Sequence, residues 1–257
     1  MTTLFDVMLR LARELDEVWE STATGGSATT LVDTKCTEPD DYWNTGSLFM
    51  ITNAATAVQN TVITPTDWAK TTATLTIPTI TPASIAAGNK YLLLKAKWPR
   101  ASLVRAVNVA LAKQWLISQD ETLTVVDSKL VYTLPTGVSR VMQVWLGNDT
   151  DGWEQHHFWA EENGELRFAQ HEPGSDETVR LRYRTLHSTV GADSDTIDNQ
   201  IRLDLLQWDA LAELHRWRYY LVGEQEKNEV ELVKFCEAMA MRYRVTPTQP
   251  APRYAGW

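Results

Sequence analysis

Apolar residues recur at three- and four-residue spacing from the start of the chain, at Leu4, Val7, Met8, Leu11, Leu15 and Val18. Arg10, Arg13, Glu14 and Glu17 fall between them. This spacing winds one apolar stripe onto a 3.6-residue period and predicts an amphipathic helix over Leu4–Trp19, with Thr3 as its N-cap. Gly and small polar residues over Ser21–Ser27 stop it. From Ala28 to Lys97 the pattern changes to Thr, Val and Ile broken by Pro, Gly, Asn and Asp. Strands are predicted at Ala28–Asp33, Ser47–Thr52, Gln59–Thr64, Thr72–Ile77 and Lys90–Lys95. Short strands at this spacing predict a small β-barrel or sandwich inserted after the first helix.

Pro99 suits the first position of a second helix, predicted to run to about Ser118 with Leu103, Val107, Ala110, Leu111 and Leu116 on one side. An antiparallel sheet is expected next, from Leu123–Val126, Leu130–Tyr132, Val138–Leu146, Glu165–Phe168 and Thr178–Leu186, with Asn163-Gly164 as a hairpin turn. Strict alternation over Val179–Tyr183 buries one face and turns Arg180 and Arg182 outward. Helical periodicity returns over Gln200–Val222 and Gln225–Arg244, a predicted helical hairpin, and Val245–Trp257 is a Pro-rich stretch expected to form an extended arm.

The expected architecture is therefore α+β, because strands cluster in antiparallel runs instead of alternating with helices. An N-terminal helix (1–24), a central helix (99–120) and a C-terminal helical hairpin (198–244) form a bundle. A small β-barrel or sandwich (25–98) is inserted into it, a second antiparallel sheet occupies 121–190, and the arm covers 245–257.

Charge and composition narrow the function classes. The 257 residues carry a formal net charge of −9, which argues against a chain whose main task is gripping nucleic acid and suits a wall past which DNA slides. Eleven tryptophans are spread along the chain, a hint of extensive interfaces. Cys36 and Cys236 stand in no ligand or disulfide spacing and read as free thiols of a reducing compartment. The amphipathic, charged start does not read as a signal peptide, and no stretch approaches the roughly 18 apolar residues of a membrane span.

The search for chemistry finds no phosphate loop, zinc helix or nucleophile elbow, so no catalytic, metal or cofactor residue is assigned and a non-enzymatic protein is expected. Adjacent His156 and His157 point to opposite faces of a strand and, with His171, read as ordinary histidines. Asp193, Asp195 and Asp198 lack the Gly and distal Glu of a calcium loop; placed just before a helix, they read as capping residues. Glu161-Glu162 and Asp40-Asp41 sit in turn-like contexts and read as solvated surface. Trp153, Phe158 and Trp159 are close enough in sequence to form a stacking platform for a sugar or base, or to pack a sheet edge.

Two stretches carry a resemblance. Gly25-Gly-Ser-Ala-Thr-Thr-Leu-Val-Asp-Thr34 followed by Glu38-Pro-Asp-Asp-Tyr-Trp-Asn-Thr-Gly-Ser-Leu48 resembles a β-module of phage particle proteins. That module combines a Thr-Thr-Leu-Val-Asp strand, an acidic turn and an aromatic-Asn-x-Gly-x-Leu strand. Thr72-Ala-Thr-Leu-Thr-Ile77 and Ala86-Ala-Gly-Asn-Lys-Tyr91 complete it, with Asn89 where Asp is usual. From Arg100 to about Tyr243, the helix, the Tyr132-Thr-Leu-Pro135 strand end, the Val138-Ser-Arg-Val-Met-Gln-Val144 strand and the paired helices are similar to the head–tail adaptor (neck) proteins of tailed bacteriophages.

The resemblance implies a virion protein assembled in the host cytoplasm. Twelve copies would form a ring beneath the portal protein, extend the DNA channel and dock tail or nozzle proteins, with DNA only as passing cargo and no membrane partner. It also implies that the arm docks on the portal, for which Arg253, Tyr254 and Trp257 are the expected anchors. A tail, baseplate or receptor-binding subunit carrying the same module is the alternative within this class, and a glycan-binding or hydrolytic protein the alternative outside it.

Overall fold

A computed structural model of the chain describes residues 1–53, 58–81, 83–123, 126, 129–148, 150–169, 177–222 and 227–244. Two compact units emerge: one joins Met1–Ala110 to the chain from Thr189 onward, the other is Leu111–Ser188.

In the first unit β1 (Thr2–Thr3) leads into α1 (Leu4–Glu14). Short strands follow: β2 (Val18–Thr22), β3 (Gly25–Gly26), β4 (Thr30–Val32), β5 (Ser47–Met50), β6 (Thr61–Ile63), β7 (Asp67–Ala69), β8 (Thr74–Thr76) and β9 (Lys90–Leu94). Then comes α2 (Arg100–Leu111). The second unit holds β10 (Trp115–Leu123), β11 (Val131–Thr133), β12 (Arg140–Asn148), β13 (Gly152–His156), β14 (Trp159–Glu162), β15 (Glu165–Phe168) and β16 (Thr178–Leu186). The chain then returns to the first unit with β17 (Thr196–Ile197), α3 (Leu203–Val222) and α4 (Lys227–Arg244).

α1 starts where Thr3 predicts. Asp6 N–H donates to the Thr3 hydroxyl (3.3 Å), and Thr3 N–H donates back to the Asp6 carboxylate (2.8 Å), a capping box that satisfies two orphan donors. Its stripe of Leu4, Val7, Met8 and Leu11 is buried. The helix ends at Glu14, short of the predicted Trp19. Leu15 is extended and Glu17 adopts φ 59°, so the chain reverses and Val18 and Trp19 enter β2 opposite Leu94 and Leu93 of β9. Strand pairing with long-range partners overrides the helical spacing there.

The expected barrel is not formed. The β-region divides into two open four-stranded sheets, ordered β2-β9-β5-β6 and β3-β4-β8-β7, and neither closes on itself. Closure needs a continuous ladder around the circumference, whereas β3, β4, β7 and β8 are only two or three residues long. Both sheets nevertheless feed one core, with Leu31 and Leu75 from one meeting Leu48, Met50 and Leu93 from the other, beside Trp43 and Trp68. At Gly46 a Cβ would come within 2.2 Å of Leu94 O, so only glycine allows the chain to enter β5 so close to β9.

The helices gather on α3, which packs against α1 and α4. α2 is shorter than expected and stops at Leu111, because Trp115-Leu-Ile-Ser118 pairs with Leu186–Tyr183 of β16 as a strand. The single second sheet expected over 121–190 is two sheets, β10-β16-β12-β13 and β11-β15-β14, around a core of Tyr132, Val144, Leu146, Leu166, Phe168, Val179 and Leu181. Asn163 and Gly164, at φ 54° and 76°, turn β14 into β15 as their sequence predicts. The C-terminal helical pair is present as α3 and α4. The predicted arm, 245–257, lies outside the described residues.

Replacing Gly46 by Ala should lower stability by about 2 kcal/mol or more, since overpacking against a fixed backbone carbonyl is not relieved by a rotamer change. Thermal unfolding reads this, and an unchanged midpoint would show that the β5 entry tolerates a side chain.

Candidate functional site

Most side chains singled out from the sequence prove to be structural. Asp193 is a clamp: its Oδ1 accepts from Arg100 Nε (3.0 Å) and Nη2 (2.6 Å), its Oδ2 from Val62 N–H (2.7 Å), and its carbonyl from Phe5 N–H (3.0 Å). Asp195 folds its own turn by accepting from Gly191 and Ala192 N–H, while its carbonyl accepts from Leu4 N–H. Asp198 accepts from Gln200 N–H. α3 begins only at Leu203, so these residues do not take the expected capping role, and Asp193 instead joins α1, β6 and α2.

Glu161 accepts from Val141 N–H (2.7 Å) and Asp40 from Lys70 N–H (2.6 Å), so two of the turn carboxylates are also anchors. His156 Nε2 lies 3.2 Å from Phe158 O and its ring 5.3 Å from that of Phe168. His171 lies outside the described residues. No group of three His, Cys, Asp or Glu is arranged to hold a metal ion among the described residues.

The aromatic trio does not form a common platform. Trp153 is on β13 and is covered by the Arg180 guanidinium at 3.6 Å from its ring centroid. Trp159, on β14 in the other sheet, packs against the core of the second unit, and Phe158 is exposed between them. Cys36 and Cys236 are buried free thiols. Burial pushes the Cys36 thiol up, and burial with Glu14 and Glu237 nearby pushes Cys236 up to about 11, so neither is a ready nucleophile.

Two polar clusters, one buried and one partly so, are not anticipated from the sequence. In the β-region of the first unit, Asp33 is fully buried and accepts from Tyr91 Oη (2.5 Å), Lys35 N–H (2.9 Å) and Trp19 Nε1 (3.3 Å). Burial alone pushes its pKa up, but these donors and Ser21 outweigh burial and hold the carboxyl below its ordinary value. Burial and the neighbouring carboxylate raise the Tyr91 phenol far above its ordinary value.

The second cluster joins the turn after α1 and the segment before α2 to α3 and α4. Lys97 Nζ lies 3.1 Å from Asp16 Oδ2 and 3.5 Å from Glu229 Oε1, and Glu229 Oε2 lies 2.6 Å from His215 Nδ1. Trp98 donates to Asp16 Oδ1 (3.1 Å) and stands edge-on to the His215 ring. Burial is the largest influence on Asp16 and raises its pKa, but the bonds from Trp98 and Lys97 prevail and lower it. Glu229 sits at helical spacing with Val233, Cys236 and Ala240, so a charge on an apolar stripe was the legible signal. Its partners come from sequence-distant elements and were not.

The helical hairpin also carries exposed apolar side chains that its own packing leaves uncovered. Tyr220 (76% exposed), Leu221, Leu232, Phe235 (54%) and Met241 (62%) stand in solvent on α3 and α4, and Phe235 meets Trp208 edge-to-face at 5.7 Å. The hairpin beneath is firmly fixed: Arg244 binds both carboxylate oxygens of Asp209, Arg216 bridges Glu213 and Glu237, and Arg202 donates to Tyr243 O. Rigid elements carrying exposed large apolar side chains fit contact with another protein. Comparison with known protein families and with curated proteins gives no match to this chain.

Stability supplied by Asp33 should begin to fall below the ordinary carboxylate pKa of about 3.9 and be gone beneath its lowered folded value. Tyr91 acts at the other end: unfolded tyrosine ionises above about pH 10, the folded phenol does not, so stability falls as pH rises past that point. Tyr91→Phe should cost about 1–2 kcal/mol at neutral pH and flatten the alkaline decline. Urea unfolding against pH measures both, and an equally steep alkaline decline in the variant would refute the assignment.

Proposed function

We propose that this chain is a structural subunit of a tailed-bacteriophage particle, a non-enzymatic head–tail adaptor that forms a ring, expected to be twelve-fold, beneath the portal. In this reading it extends the DNA channel, DNA passes through as cargo, and the ring offers a docking surface to tail or nozzle proteins. The single observation that supports it most is the braced α3–α4 hairpin with Tyr220, Leu221, Leu232, Phe235 and Met241 exposed, followed by a 13-residue Pro-rich stretch that ends in Tyr254 and Trp257. Surface of this kind belongs to assembly. Aromatic and Arg residues are the usual hot spots of such contacts, and Pro lowers the entropy lost when a segment orders on its partner. Arg253, Tyr254 and Trp257 are accordingly the proposed portal anchors. The β-module resemblance supports virion membership, and the separation of Trp153 from Trp159 into different sheets weighs against a sugar platform.

Quantitative mass spectrometry of purified particles should give one copy of the chain per portal subunit. Absence from the particle would remove the structural reading, and a several-fold different ratio would move the subunit down the tail.

Truncation after Val245 should abolish attachment to the portal and leave the thermal midpoint unchanged. Attachment that survives the truncation would dismiss the three anchors.

A further inference from the structure

The four-stranded sheet of the second unit has two unlike faces. Val144, Leu146, Val179 and Leu181 point into the unit's core. Alternation puts Arg180, Arg182 and Arg184 of β16 on the opposite face. The register then places Arg140 opposite Arg184, Gln143 opposite Arg182 and Trp145 opposite Arg180 on β12, and Gln119 opposite Arg182 on β10. Residues directly opposite one another share a face, so four arginines collect on one surface of a chain whose net charge is −9.

They are not all neutralised. Arg180 is ion-paired with Glu121 (2.7 Å) and stacked on Trp153. Arg182 reaches only the Gln143 amide oxygen (3.4 Å), and Arg140 and Arg184 are exposed with no ion pair among the described residues. Four arginines less Glu121 leave three positive charges. Arg182 and Arg184 stand roughly 6.7 Å apart along β16, at two residues of strand rise, and Arg140 lies across from Arg184 on β12. Trp115, 48% exposed, lies on the same face at its corner, opposite Leu186.

We infer that this face binds nucleic acid through its phosphate backbone. Three uncompensated guanidiniums grouped on one sheet face suit a polyanion. Guanidinium forks engage phosphate oxygens bidentately, the neighbouring glutamines offer neutral donors, and Trp115 offers a ring for an unpaired base. An acidic protein segment would meet the same charges, but would gain nothing from Trp115 and the amides that nucleic acid does not exploit better. The inference deepens the adaptor reading, since it names the surface at which a ring subunit would meet its passing DNA.

The test uses the full chain and fluorescein-labelled 20-mers, single-stranded and duplex, read by anisotropy. With three phosphates engaged, affinity should weaken about 40-fold for duplex, and about 20-fold for single strand, between roughly 50 and 200 mM salt. The form bound more tightly at equal salt is the preferred one. Arg140→Gln combined with Arg182→Gln and Arg184→Gln should reduce low-salt affinity at least tenfold, abolish most of the salt dependence and leave thermal unfolding unchanged. Lys70→Gln with Lys234→Gln and Arg242→Gln, the same charge change on exposed residues elsewhere, should leave binding intact. Undetectable binding at low salt, equal loss in both triple variants, or displacement of DNA by poly-glutamate at equal charge concentration would each overturn the inference. Such a failure leaves the particle copy number untouched, so the two readings stand or fall separately.

Discussion

Asp193 holds the first unit together. Its carboxylate receives the guanidinium at the start of α2 and the backbone N–H of β6, while its carbonyl takes the N–H of Phe5 in the first turn of α1. Three segments that are far apart in sequence thus meet on one residue, placed directly after the chain returns from the second unit. Charge-assisted bonds to a largely buried carboxylate are stronger than neutral ones, and removing one partner strands the others. Asn108 reinforces the same junction, exchanging two 2.8 Å hydrogen bonds with the backbone of Val190.

Polar groups also specify the interior. Asp33 and Tyr91 sit inside the shared core of two open sheets, and buried Glu229 and His215 of α4 and α3 meet Lys97 and the more exposed Asp16. Ionised groups in such places add little net stability compared with apolar packing, because desolvation offsets much of the attraction. What they impose is geometry: an alternative register of β9 would leave Tyr91 and Asp33 without each other. The placement of the α3–α4 hairpin follows from the same logic, since Glu229 and Asp209 tie it down while Tyr220, Leu221, Leu232, Phe235 and Met241 stand exposed among charged residues.

Much of this was legible in the sequence where one local rule acted alone. The Thr3 cap, the Asn163-Gly164 turn, the alternation of β16 and the two C-terminal helices all follow from neighbouring residues. The expectation failed where two rules competed. Val18 and Trp19 continue a helical stripe yet become a strand because β9 offers them partners. Trp115 to Ser118 likewise leave the α2 pattern to pair with β16. Closure of the β-region was expected from strand spacing, but strand lengths and sheet order depend on partners that spacing does not encode. Of the candidate surfaces, the outward Arg180 and Arg182 were visible from alternation, whereas Arg140 joins them only through the register of β12, and the Asp193 clamp only through tertiary contact.

The insertion of the second unit has a consequence for biosynthesis. β10 and β16 bring its two ends side by side, with Trp115 opposite Leu186, and Asn108 and Val190 likewise close the first unit across the gap. The second unit can therefore complete its sheets as soon as residue 188 leaves the ribosome. The first unit must wait, because α1 has no α3 to lie on and Arg100 no Asp193 to grip until the last third of the chain is made. During that interval the stripe of Leu4, Val7, Met8 and Leu11 lacks the cover that α3 later gives it.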